Sequence, residues 1–97
     1  MMFNQVIVVG RLSSLDMNNE EERMNGSMTI EVERAFAQPD GSFISDHLPV
    51  RLWRGMMETI SDSYQPGDLI GVNGRIEEDN GQLLIVAEKV SLIRRKQ

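Results

Sequence analysis

The sequence contains no cysteine and only one histidine, and each shortage closes off a class of chemistry. Without thiols there are no disulfides, zinc–thiolate sites or thiol catalysis, a composition compatible with a reducing cytoplasm. A lone histidine, His47, rules out a histidine-rich metal site, and no cofactor is implied. No apolar run approaches the ~20 residues of a membrane span. The opening Met1-Met2-Phe3-Asn4-Gln5 lacks the charged-then-apolar pattern of a secretory signal, so a soluble, cytoplasmic protein with no membrane partner is expected. Positive charge is also short: 10 Lys and Arg face 15 Asp and Glu, for a formal net charge of −5. The field of the whole molecule repels a polyanion, so any site for one has to be a local basic patch.

What is present is organised around Asp46-His47-Leu48-Pro49-Val50-Arg51-Leu52-Trp53-Arg54, an extended run holding the only histidine and the only tryptophan. Side chains alternate across a strand, which puts Leu48, Val50 and Leu52 on one face and His47, Pro49, Arg51 and Trp53 on the other. One face is apolar; the other mixes rings with a cation. Single-stranded nucleic acid is held by such surfaces, because bases stack on rings and phosphates seek positive charge. The same pattern also describes an amphipathic strand whose tryptophan packs in the core, since large aromatics are mostly buried.

The 97 residues, 40% of them hydrophobic, suit one compact domain over 1–97. Residues 5–12 are apolar and β-branched at nearly every position, as in a strand buried on both sides, with Gly10 marking a bulge or bend. Residues 13–26 turn to Ser, Asp, Asn and Glu and read as a long polar loop ending in the Asn25-Gly26 turn signal, with Glu20-Glu21-Glu22 solvated. Residues 27–36 alternate as a second strand, and Pro39-Asp40-Gly41 reverses the chain into the central strand, with Phe36 and Phe43 flanking the reversal. Met56, Met57, Ile60 and Tyr64 form the stripe of a short helix, its paired methionines filling gaps in the core, and Gln65-Pro66-Gly67-Asp68 ends it. Residues 68–76 and 82–90 are two further strands, joined by the hairpin signal Asp79-Asn80-Gly81 with the acidic tip Glu77-Glu78-Asp79, and the sequence closes on the basic Arg94-Arg95-Lys96.

Three strands, a helix and two strands, with glycines where a small barrel must bend, is the order of an all-β, five-stranded OB-fold barrel with one short helix between strands three and four. That barrel serves many ligands as well as protein-only roles. No residues have the spacing of a nucleophile and its base, and alternation separates Asp46 from His47, so an enzyme is not expected.

The chain resembles the bacterial single-stranded DNA-binding protein family. The likeness rests on Asn4-Gln5-Val6-Ile7-Val8-Val9-Gly10-Arg11-Leu12, on residues 28–36, on the run 46–53, and on Tyr64-Gln65-Pro66-Gly67-Asp68-Leu69-Ile70-Gly71-Val72-Asn73-Gly74-Arg75-Ile76. By that resemblance the base-stacking positions fall on Phe36, His47 and Trp53, the histidine standing in for a ring it can replace. Arg34, Arg51, Arg54 and Arg75 become phosphate candidates. The resemblance implies single-stranded DNA binding in replication, recombination or repair, and pairing through the first strand into dimers or tetramers. Two departures stand out. The last hairpin is short and acidic where the family has a longer basic, ring-bearing loop. The sequence ends at Gln97 without the flexible tail and acidic tip that recruit other enzymes, so recruitment by that route is not expected. An OB-fold interaction module akin to the small primosomal replication protein, with weak or no DNA binding, is the alternative.

Overall fold

A computed structural model describes residues 1–17 and 24–97; the acidic run Glu20-Glu21-Glu22 lies outside them. The elements follow in the order β1 (Val6–Met17), β2 (Met24–Glu33), β3 (Ser45–Trp53), α1 (Arg54–Ser63), β4 (Leu69–Asp79) and β5 (Gln82–Arg94). The strands close into a barrel in the order β1-β2-β3-β5-β4. Every pairing is antiparallel except β3 with β5, which run parallel through Val50↔Ile85 and Arg51↔Val86. This is the OB-fold barrel, with its helix between β3 and β4, that the element order predicts.

Period-two alternation fills the barrel. Met28 and Ile30 of β2, Val50 and Leu52 of β3, Ile70 and Val72 of β4, Val8 and Leu12 of β1 and Ala87 of β5 form the buried cluster. α1 packs on β2 and β3 and contributes Met57 and Ile60 to that cluster, with Met56 and Tyr64 at its margin, as the helical stripe predicts. The β4–β5 turn has Asn80 and Gly81 at φ 52° and 80°, the left-handed pair that a tight hairpin requires. In the β2–β3 connection Gly41 sits at φ 88°, and the Asp40 carboxylate accepts bonds from the Ser42 amide (2.9 Å) and hydroxyl (2.6 Å).

The structure corrects the sequence reading in four places. The first strand is not buried on both sides: Val8 and Leu12 point into the barrel, while Ile7 and Val9 are exposed on its outside. The polar stretch 13–26 is not a loop throughout: β1 runs to Met17 and β2 starts at Met24, so Asn25-Gly26 lies within a strand. Backbone pairing such as Leu15↔Met28 and Asp16↔Ser27 holds these polar residues in the ladder, and such pairing leaves no hydrophobic alternation to read. The irregularity in β1 falls between Leu12 and Ser14, not at Gly10. A Cβ at Gly10 would run into the Glu31 backbone carbonyl oxygen and stand 2.7 Å from Ile30 Cγ2 and 2.9 Å from Val32 Cγ2, so this glycine permits the close approach of the β2 backbone. Finally, β2 ends at Glu33 and leaves Phe36 beyond the strand, while β5 extends past Val90 to Arg94.

β1 is shared between two neighbours. Its first half pairs with β4 and its second with β2, and Arg11 is the hand-over residue, opposite both Leu69 and Glu31. The segment after α1 is tied in beside it: the Leu12 amide donates to Asp68 O (2.9 Å) and the Gly67 amide to Leu12 O (2.7 Å). Asp68 is 1% exposed, and its carboxylate accepts bonds from the backbone amides of Lys96 (2.8 Å) and Gln65 (2.9 Å). Those amides hold the Asp68 carboxyl below the usual carboxylate range. A depressed folded-state pKa means that the stabilisation is complete above about pH 4 and is lost as the pH falls through the folded value. One buried carboxylate thus fastens the end of β5 to the α1–β4 link.

Candidate nucleic-acid interface

The outward face of β3 carries His47, Pro49, Arg51 and Trp53, opposite Glu31, Thr29, Ser27 and Met24 of β2 in register. His47 and Pro49 are exposed; Arg51 and Trp53 are half-buried. Trp53 ends β3 and is also the N-cap residue of α1, so its backbone is held by a strand on one side and a helix on the other. The structure therefore brings His47, Arg51 and Trp53 onto one strand face. Phe36 is placed apart from them, 86% exposed in the β2–β3 connection, with Phe43 also exposed on the returning limb.

Three candidate arginines meet carboxylates. Arg34 forms a two-pronged pair with Asp46, Nε to Oδ2 at 3.0 Å and Nη2 to Oδ1 at 2.9 Å. The pairing raises the Arg34 pKa and lowers that of Asp46. Arg51 Nη2 lies 3.1 Å from Asp79 Oδ2. Arg75 Nη2 lies 2.6 Å from Glu77 Oε2 and its Nη1 3.2 Å from Glu88 Oε2, and the bond to Glu77 is the largest cause of its raised pKa. Arg54 opens α1, and its side chain lies outside the described part of the structure. His47 Nε2 stands 3.4 Å from Glu31 Oε2 across the β2–β3 ladder.

The acidic tip of the last hairpin thus does more than mark a turn: Glu77 and Asp79 fold back onto Arg75 and Arg51. Those two arginines are the register partners of Val86 from opposite sides, one on β4 and one on β3. Exposed pairs of this kind contribute little to stability. Their consequence is electrostatic, because a phosphate approaching Arg34, Arg51 or Arg75 competes with a carboxylate already in place. Sequence reasoning missed Glu31, Asp46, Glu77, Asp79 and Glu88 as partners of the site; Glu77 joins Arg75 on one strand face because β4 runs past residue 76 to Asp79. Among the described residues no group of three His, Cys, Asp or Glu side chains is placed to hold a metal ion. No helix among them is long and apolar enough to cross a membrane.

The sequence profile of the Single-strand binding protein family matches residues 3–90. The chain is similar to single-stranded DNA-binding protein B of Bacillus subtilis (strain 168), 35% identical over 79 residues that make up 78% of this chain and 69% of the relative. It is 34% identical over 101 aligned residues to the single-stranded DNA-binding protein of Streptococcus pneumoniae serotype 4, covering 93% of this chain and 62% of that one. The chain spans 48% of the length of a Bacillus cereus relative. The fold is shared with the crystal structure of the mitochondrial single-stranded DNA-binding protein Rim1 of S. cerevisiae, with a TM-score of 0.73 at 16% identity over the whole of both chains. With a closed barrel of this topology, a profile match over most of its length and relatives above 30% identity, the chain belongs to the single-strand binding protein family.

Proposed function

We propose that the protein binds single-stranded DNA with little sequence preference on the outward face of β2 and β3, without catalysing a reaction. The observation that carries this is the face itself: His47, Arg51 and Trp53 project from one strand of an OB-fold barrel in a family whose named members bind single-stranded DNA. Trp53 and His47 supply planar surfaces for bases, with Phe36 joining from the hairpin arm. Arg34, Arg51, Arg54 and Arg75 are the phosphate partners. Stacking contributes about 1–3 kcal/mol per base, so two or three rings offset moderate repulsion from the acidic surface. The roles are those of replication, recombination or repair in the cytoplasm.

The working form is a homo-oligomer, a tetramer or a dimer. Ile7, Val9 and Ile93 are exposed on the outside of β1 and β5, an apolar surface of the kind that a second copy covers.

A second reading has its own observation. Arg34, Arg51 and Arg75 are all held by carboxylates, which favours an interaction module with weak or no DNA binding. Fluorescence anisotropy of a labelled oligodeoxythymidine separates the two. Saturable binding at low salt that unlabelled duplex of equal length does not displace is expected; a flat titration with folded protein decides for the interaction module.

A further inference from the structure

Among the described residues, the cations least neutralised by carboxylates lie away from the β3 face. Ten Lys and Arg are present in the sequence. Of those whose side chains the structure describes, Arg34, Arg51 and Arg75 are ion-paired at 3.2 Å or less. Arg11, Arg94, Arg95 and Lys96 instead converge on one cleft of about 400 Å³, lined also by Gly67 and Gln97. Arg11 donates there to a carbonyl, Gly67 O, at 3.0 Å. Arg95 donates to Ser63 O, and its approach to the buried Asp68 carboxylate is a long 3.5 Å. Asp68, kept ionised by two backbone amides, offsets one of these four charges and leaves the cleft net positive.

The pocket is built rather than frayed. Gly67 has φ 97°, and a Cβ there would fall 2.5 Å from Lys96 Cδ and 3.1 Å from its Cγ, so the glycine makes room for the lysine stem. The Lys96 amide is bound by Asp68, which fixes where that stem begins. Arg94 is still in β5, opposite Leu69.

The pocket is also continuous with the β2–β3 face. One row of register partners runs His47↔Glu31↔Arg11↔Leu69↔Arg94 across β3, β2, β1, β4 and β5. Four strand spacings cover about 19 Å of barrel surface. A second cleft, of about 280 Å³, lies along this row and is lined by Val9, Gly10, Arg11, Glu31, Val32, Glu33, Ser45 and Leu69. Arg11 lines both clefts. Glu33 and Glu31 sit at the β2 end of the groove, Glu31 facing His47, so negative charge gives way to positive toward Arg11 and beyond.

We propose that the pocket of Arg11, Arg94, Arg95 and Lys96 is a phosphodiester site, by which a single strand lying on the β2–β3 face continues around β1. This rests on the reading of that face as the single-strand platform. Four cations in one cleft suit a chain of phosphates, each monoanionic and evenly spaced, and neutralising them releases counterions.

Lys89 and Lys96 are the only lysines, so acetylation read by mass spectrometry resolves the site without mutation. The full chain is labelled alone, with a saturating 16-nucleotide oligodeoxythymidine, with a 5-nucleotide one, and with poly-glutamate at equal charge; the two DNA lengths span the range of OB sites, about 4–16 nucleotides. The expected result is several-fold protection of Lys96 by the longer strand alone, with Lys89 unchanged. In parallel, Arg94→Ala/Lys96→Ala should lower the salt slope for the longer strand by about 0.7 for each phosphate no longer neutralised, and leave the short strand's affinity within about twofold. Saturated binding of the longer strand with Lys96 still labelled overturns this inference and leaves the platform standing. Equal protection by poly-glutamate or by the short strand also overturns it. Failure of the unmodified chain to bind the longer strand removes both.

Discussion

Replacing Trp53 by alanine is expected to weaken binding of an oligodeoxythymidine by about tenfold to a hundredfold, the equivalent of one lost base stack. The substitution should leave a folded protein. Trp53 is half-buried on the outward face and lies outside the buried cluster formed by Leu12, Met28, Ile30, Val50, Leu52, Met57, Ile60, Ile70, Val72 and their neighbours. Its part in starting α1 is made by the backbone, at φ −72° and ψ 157°, with no side-chain bond to the first turn. Alanine therefore removes a ring and not a cap. Trp53→Phe, which keeps a smaller ring, should recover most of the affinity. Anisotropy titrations on each variant, beside thermal melts that show how much of it is folded, check this. A folded alanine variant that binds as the parent does removes Trp53 from the platform.

The largest effect on stability is expected at Gly74. This residue lies between β1 and β5, opposite Val6 on one side and Ala87 on the other, where the β4–β5 register shifts. A Cβ there would run into the Val86 carbonyl oxygen, with the Val86 carbonyl carbon at 3.0 Å and Ala87 Cα at 3.2 Å. All three atoms are backbone, so no rotamer change relieves the overlap; a whole strand has to move. Overpacking that only shifts side chains costs about 1–3 kcal/mol, and Gly74→Ala should cost at least about 3 kcal/mol. For a domain of this size that lowers the melting temperature by about 12 °C or more. Gly55→Ala is the contrast: it lies near the start of α1, a Cβ there meets nothing within 4 Å, and the change should be neutral or slightly stabilising. Circular dichroism melts of the two variants decide it, and a Gly74→Ala protein melting within a few degrees of the parent contradicts the close-approach explanation.

The parts of the fold that sequence reveals are those where one side chain reports its own environment. Leu48, Val50 and Leu52 alternate with His47, Arg51 and Trp53, and the structure buries Val50 and Leu52 completely while the other set faces out. Asn80-Gly81 marks its hairpin because few residues adopt two left-handed positions in succession. Met57 and Ile60 mark the inward side of α1 in the same way. What stays hidden is what depends on a partner distant in sequence. Residues 13–17 belong to β1 only because β2 supplies their backbone bonds, and Ser, Ser and Asp give no sign of it. Gly10 shows as a glycine in a strand, but whether it bends the strand or admits a neighbour depends on where Ile30 and Val32 arrive.

The candidate site divides along the same line. His47 and Trp53 are placed on one face by local alternation alone. The state of the arginines is not local: Arg51 meets Asp79 from 28 residues away, and Arg34 meets Asp46 across a hairpin. A net charge of −5 tells of surplus carboxylates without telling which ones close on the arginines. Asp68 gives the sharpest case. Its burial is intelligible only once the Lys96 amide, 28 residues on, is seen to bind it.

The intrinsic fluorescence of Trp53 during titration with oligodeoxythymidine tests the single-strand platform most directly, because this is the only tryptophan in the sequence and its emission reports one position. Stacking of a base on the indole predicts saturable quenching at low salt, weakening as salt is raised in proportion to the few phosphates neutralised. Emission that stays unchanged at oligonucleotide concentrations reaching well above the micromolar range, at low salt and with the protein folded, contradicts it.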